Sequence, residues 1–163
     1  MKKLFFEETI YVSGKTTQEE VFEEVYLNLL NKQLVTEDFL ESLLERERNY
    51  PTGLDLSPVS DILPDIAIPH TESEYVRTTR IIPIKLKNEI TFHNMISPSD
   101  QLSVRFLFMI LNDNGEAQAG MLAAIMDFIN SVDKDALRSF FELENTEAIY
   151  KFLEEYFIME VSA

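Results

Sequence analysis

No cysteine occurs in the chain, which excludes a disulfide framework, a thiolate metal site and a cysteine nucleophile belonging to the chain itself. Any thiol chemistry has to come from a partner. Glycine is scarce, with four residues in 163, and these four write neither a P-loop nor a dinucleotide-binding fingerprint. No apolar run approaches the roughly 20 residues that span a bilayer. The opening Met1-Lys2-Lys3-Leu4-Phe5-Phe6-Glu7-Glu8 turns acidic too soon for a signal peptide. A cytoplasmic location without direct membrane insertion is the expectation. Basic residues are few as well: 14 Lys and Arg stand against 29 Asp and Glu, for a formal charge of −15. Such a surface repels phosphate backbones and argues against nucleic acid as a partner. It suits transient docking to a protein with a basic patch, although most of these carboxylates need do no more than keep the chain in solution.

What is present suffices for a core. Apolar residues make up 45% of the chain, and no repeat, low-complexity tract or Gly/Ser linker divides it, so residues 1–163 read as a single domain. Thr17 followed by Glu20 is a capping-box pattern, and Val21, Phe22, Val25, Leu29 and Leu30 follow at helical spacing. A second helix is expected from a cap at Thr36 through Phe39, Leu40, Leu43 and Leu44, fraying near Arg48-Asn49 ahead of Pro51. Tyr50 to Pro64 reads as loop.

Ile66-Ala67-Ile68-Pro69 is a short apolar strand. Ile81 to Leu86 alternates around Pro83, which predicts an edge strand. Val104 to Ile110 is an apolar run suited to burial on both faces. Met121, Leu122, Ile125, Met126 and Ile129 mark a helix starting near Glu116, whose stripe is core packing. Asp133 or Asp135 caps a helix carrying Leu137, Phe140 and Phe141, and Asn145 caps one carrying Ile149, Phe152, Leu153, Tyr156 and Phe157. Strands interleaved with helices predict an α/β fold, a mixed β-sheet flanked by α-helices in an α+β sandwich.

Of the two histidines, His70 follows a predicted strand and a proline, a place where such folds put functional groups. His93, in Thr91-Phe92-His93-Asn94, has no motif around it and reads as a surface residue. An imidazole serves as general base, metal ligand or nucleophile toward phosphorus. No ligand cluster of suitable spacing flanks His70, and no G-x-S-x-G elbow is present. Elimination alone leaves direct phosphorylation of His70 beside a purely structural role.

The stretch Glu45-Arg46-Glu47-Arg48-Asn49-Tyr50-Pro51-Thr52-Gly53-Leu54, followed by Ile66-Ala67-Ile68-Pro69-His70, resembles the enzyme IIA domain of the fructose/mannitol class. That class belongs to the phosphoenolpyruvate-dependent sugar phosphotransferase system. Its signature is an Arg-Glu pair, then Thr-Gly, then Ala-Ile-Pro-His, in that order, and the likeness extends loosely from the first helix to the last. The resemblance implies a histidine phosphorylated by the carrier protein HPr, with Nε2 as the family's acceptor nitrogen, which hands its phosphoryl group to the IIB component of a sugar permease. By position, His70 is the acceptor and Arg46 steadies the phosphoryl oxygens, a task suited to the paired donors of a guanidinium. Transfer of this kind rests on positioning and charge, so no metal or cofactor is expected.

Glu47 either orients Arg46 through an ion pair or is a plain helix-end carboxylate. Thr52-Gly53 is expected to be a turn, with Gly53 supplying unusual backbone angles, and Thr71 either bonds the imidazole or fixes the turn. Mannitol- and fructose-type members carry a second active-site histidine where this chain has Gln118. An amide still donates to phosphate but carries no charge. This residue and the Pro-Thr-Gly form of the motif resemble the galactitol-type proteins, whose IIB partners use a cysteine as acceptor. The alternative is a regulatory protein resembling nitrogen-type IIA, which binds targets according to phosphorylation state.

Overall fold

The apolar run that ends at Ile110 forms most of β5 (Gln101–Leu111), which is buried without interruption from Phe106 to Leu111. The computed structural model, which describes residues 3–158, sets β5 among β1 (Tyr11–Ser13), β2 (Gly53–Leu54), β3 (Asp65–Ala67) and β4 (Arg80–His93). The five strands lie in the order β1-β4-β5-β3-β2. The sheet is mixed: β1 runs parallel to β4 and β3 parallel to β5, while the β4/β5 and β2/β3 pairs are antiparallel.

Helices cover both faces. Phe106, Phe108 and Ile110 point from β5 into one apolar cluster, closed by α3 (Gln118–Ser131), α4 (Lys134–Glu142) and α5 (Thr146–Tyr156). Leu107, Met109 and Leu111 point the other way, into a cluster closed by α1 (Gln18–Asn31) and α2 (Phe39–Asn49). The period-2 alternation of a strand buried on both faces is thus what divides the core into two layers. Three caps fall where the sequence puts them. The side chains of Thr17, Asp133 and Asn145 accept from the backbone N–H groups of Glu20, Ala136 and Ala148 at 3.2, 3.0 and 2.9 Å.

Several expectations are corrected. Thr36 is no cap: its hydroxyl is buried without a partner, and α2 starts three residues later behind Asp38. Thr36 is instead tied by its N–H to the Tyr75 carbonyl at 3.0 Å. The Tyr50–Pro64 loop contains β2, two residues long and too short to show periodicity. The strand with Pro83 is interior and not an edge. Ile81 donates outward to the Leu4 carbonyl at 2.9 Å. Alternation turns the missing N–H of Pro83 to that same side, just ahead of Ile84, where β1 begins to pair. Among the described residues no helix is long and apolar enough to cross a membrane.

Candidate functional site

Ile66 and Ala67 of β3 pair with Phe106 and Leu107 of β5, and this parallel pairing carries the chain forward to the end of the sheet. There Pro69 accepts from the Ile110 N–H at 2.9 Å and His70 makes an isolated bridge to Ile110. The half-buried imidazole turns back on its own chain, with Nδ1 3.0 Å from the Ile68 carbonyl oxygen. A carbonyl can only accept, so Nδ1 carries the proton and Nε2 keeps its lone pair. Burial and, secondarily, the nearby Arg46 guanidinium hold His70 below its ordinary value, against the Ile68 hydrogen bond and Glu72, which favour the charged form. The ring is therefore neutral at pH 7, as a nucleophile has to be.

A short chain of hydrogen bonds fixes that ring to α2. The Glu47 carboxylate is buried and accepts from both the N–H and the hydroxyl of Thr52, each at 2.7 Å. The Thr52 carbonyl accepts from the Ile68 N–H at 3.1 Å, and the Ile68 carbonyl takes the His70 proton. Neither role expected for Glu47 survives: it makes no ion pair with Arg46 and is not a free helix-end carboxylate. Burial pushes its carboxyl above the usual range, with the Thr52 hydrogen bonds opposing the rise. Glu47→Ala leaves the Thr52 N–H buried and unpaired, an expected loss of about 1–3 kcal/mol. Glu47→Gln still accepts from that N–H and should keep most of the stability. Because the raised group favours its protonated form in the fold, the Gln variant should lose least, relative to the parent, at neutral pH and above. Denaturant midpoints of both variants at pH 5 and pH 8 check this.

Gly53 is needed for a reason other than the one expected. No described glycine has a positive φ. Instead, a Cβ at Gly53 would lie 2.6 Å from the His93 carbonyl oxygen. The glycine lets β2 lie between β3 and the far end of β4, where its carbonyl accepts from Met95 at 2.8 Å.

Arg46, one residue before Glu47 on α2, reaches a cleft of about 560 Å³ bordered by Ser42, Glu45, Tyr50, Glu72 and Tyr75. Its guanidinium donates to Glu72 at 2.6 Å and lies 5.4 Å from the Tyr50 ring centre. Its Nε is buried without a partner, so part of the donor fork is unspent. Glu72 is held below the usual carboxylate range, most strongly by its own backbone N–H, with Arg46 and Ser42 adding to the effect. Sequence reasoning passed over Glu72. The signal was its place two residues after His70 in extended chain, where i and i+2 share a side. Thr71 fixes the turn, since its hydroxyl donates to the Glu72 carbonyl at 2.9 Å.

Arg48 is exposed on the other side of α2. His93 is exposed at the end of β4, its Nδ1 2.8 Å from the Pro98 carbonyl oxygen. Gln118 is half-buried at the first position of α3, with no hydrogen bond to His70 or Arg46. It follows the turn Gly115–Ala117, where a Cβ at Gly115 would lie 3.9 Å from the hydroxyl of Ser73, three residues beyond His70. Among the described residues, no three or more His, Asp or Glu are grouped to hold a metal ion.

Comparisons with known proteins bear on the family and the fold. The family described as "Phosphoenolpyruvate-dependent sugar phosphotransferase system, EIIA 2" matches residues 3–156. The galactitol-specific EIIA component of Escherichia coli K12 is 24% identical over 114 residues, covering 70% of this chain and 72% of that protein. The crystal structure of the IIA mannitol protein from Escherichia coli superposes with a TM-score of 0.70 at 18% identity, over 91% of this chain and 98% of that one. The same organism's IIA mannitol enzyme, in complex with phosphorylated IIB, gives 0.66 at 18% identity, over 93% and 97%.

Proposed function

Because the chain belongs to the EIIA 2 family of the phosphoenolpyruvate-dependent sugar phosphotransferase system, we propose that it is a phosphocarrier that accepts a phosphoryl group on His70 from HPr and passes it to a IIB component. The observation that carries this reading is the His70 ring itself: Nδ1 is tied to the Ile68 carbonyl at 3.0 Å, which leaves Nε2 as the free nucleophile. In the accepting step the Nε2 lone pair forms a bond to phosphorus while the bond from phosphorus to the donor breaks. The proton stays on Nδ1, and the Ile68 carbonyl supports the positive charge that develops on the ring. Arg46 meets the phosphoryl oxygens with donors now shared with Glu72 or unspent. In the delivering step the N–P bond breaks and the group leaves for the partner, where a cysteine of a IIB protein supplies the thiolate this chain lacks.

A galactitol-type permease is the assignment favoured by Gln118 and by the galactitol-specific relative. The docking of a mannitol IIA protein to phosphorylated IIB supports a IIB protein as the partner in that step. Incubation with phosphoenolpyruvate, enzyme I and HPr, followed by intact mass measurement, tests the reading. One phosphoryl group per chain is expected, lost in acid and stable in base. An unmodified mass under conditions that phosphorylate HPr refutes it.

Gln118 donates to the phosphoryl group in this reading. Gln118→Ala then removes one hydrogen bond to a charged group, worth about 1.5–3 kcal/mol, and slows transfer from HPr roughly tenfold to a hundredfold. Gln118→His remains active. The thermal midpoint should hold in both, since the side chain is bonded to neither His70 nor Arg46. A normal rate for Gln118→Ala removes the amide from the site.

A further inference from the structure

Lys85 stands where an apolar residue belongs. Paired with Phe106 on β4, it shares the sheet face of Phe106 and Phe108 that α4 covers, and it is 4% exposed. Its ammonium donates to the Phe141 carbonyl, in the last turn of α4, at 2.6 Å. An ammonium has three donors, and among the described residues no carboxylate lies within ion-pairing distance of this one. Desolvation, and next the nearby Arg105, hold Lys85 below its usual range, with Glu144 and Glu142 opposing.

The same side chain borders a cavity of about 470 Å³, together with Arg105 and Arg138, an apolar wall that includes Leu63 and Phe141, and the carboxylates Glu142 and Glu144. That volume suits a small molecule. The two arginines are loosely engaged. Arg105 reaches Glu89 at 3.5 Å and Arg138 reaches Glu142 at 3.7 Å, with all four side chains well exposed. Such pairs contribute little and exchange readily. In a chain of charge −15, three cations around one cavity, one of them buried with donors to spare, form a recess suited to an anion. Capping of α4 by Lys85 accounts for one hydrogen bond, and leaves the two arginines and the recess unexplained.

We propose that Lys85, Arg105 and Arg138 form a second site, which binds a small oxyanion carrying a compact apolar part. The two arginines offer paired donors to its oxygens, Lys85 supplies a buried charge, and Leu63 and Phe141 receive the apolar part. The site is separate from His70. Ile110, the bridge partner of His70, lies four residues along β5 from Phe106, the partner of Lys85, which is about 14 Å of strand.

The test is amide NMR on the full chain, titrated with inorganic phosphate and, separately, with butyrate at constant ionic strength. Saturable shifts of Phe141, Glu142 and Arg105 with at least one anion are expected. The anion that saturates identifies the ligand as phosphate-bearing or carboxylate-bearing. Lys85→Met and Arg105→Gln should each raise the dissociation constant about tenfold, the loss of one charge-assisted hydrogen bond. Shifts around Arg46 should be the same in both variants as in the parent. Should Lys85→Met fail to fold, Arg105→Gln decides, because Arg105 is half exposed and outside the core. Shifts that stay linear with both anions, or saturation unchanged in Arg105→Gln, overturn the proposal and leave Lys85 as a helix cap.

Discussion

A His70→Ala chain remains at its unmodified mass after incubation with phosphoenolpyruvate, enzyme I and HPr, whereas His93→Ala takes up one phosphoryl group at the parent rate. The two rings differ in surroundings and not in chemistry. Both place Nδ1 against a backbone carbonyl, at 3.0 Å for His70 and 2.8 Å for His93. Only His70 stands within the field of an arginine with an unspent donor, and His93 is exposed as the last residue of β4. Loss of the acceptor nitrogen is complete loss of transfer, the largest effect expected of any substitution in the chain.

A pH dependence follows from the same ring. The fold holds His70 below its ordinary 6.5, and only the neutral ring attacks phosphorus. Transfer should therefore persist to lower pH than an ordinary imidazole would allow, and fall off as the folded-state ring takes up its proton. Stability moves in the same direction. Below about 6.5 the unfolded chain binds that proton first, so the contribution from His70 is present at neutral pH and is lost as the pH falls through the depressed value. Uptake by His70→Ala, or equal losses in the two variants, would place the acceptor elsewhere.

Arg46→Gln should slow transfer about a thousandfold, at the lower end of what a transition-state arginine contributes to phosphoryl transfer. Arg46→Lys keeps the charge but gives up the fork, and should cost roughly tenfold to a hundredfold. In the unphosphorylated chain Arg46 is bound to Glu72 at 2.6 Å. The pair is partly solvent-exposed, so phosphoryl oxygens can displace the carboxylate without stranding a buried charge. Arg48→Lys is the control on the same helix, and its exposed side chain should leave the rate unchanged. Single-turnover transfer from phosphorylated HPr measures all three, beside a thermal midpoint that shows each variant to be folded. Equal rates for the Lys variants at 46 and 48 would mean that the phosphoryl group is held by something other than Arg46.

Long elements with strong periodicity were legible in the sequence, because their burial is written in every second or every third and fourth residue. The two-faced strand ending at Ile110 and the helices capped by Thr17, Asp133 and Asn145 are of that kind. What escaped depends on contacts between segments far apart in the chain. The two-residue strand at Gly53 exists because His93 and Ala67 flank it. The interior place of Pro83 depends on where β1 happens to start. Thr36 looks like a cap in isolation and is overruled by the Tyr75 carbonyl.

At the candidate site, His70, Arg46 and Glu47 were picked out in the sequence by an ordered motif. The partner that Glu47 chooses was not, because Arg46 is its neighbour in sequence but Thr52 is its neighbour across the turn. Glu72 was missed for the converse reason: nothing local shows that a residue two places after the histidine meets a helix residue 26 positions earlier.

In the proposed function His70 takes phosphorus on Nε2 while Nδ1 keeps its proton to the Ile68 carbonyl. Nitrogen NMR of the chain labelled in histidine, recorded before and after phosphorylation by HPr, measures both atoms at once. Before the reaction, Nδ1 of His70 should carry the proton and Nε2 should be bare. Afterwards, phosphorus–nitrogen coupling should appear at Nε2 of His70 alone, with Nδ1 still protonated. Coupling at Nδ1, or at any residue other than His70, would contradict it.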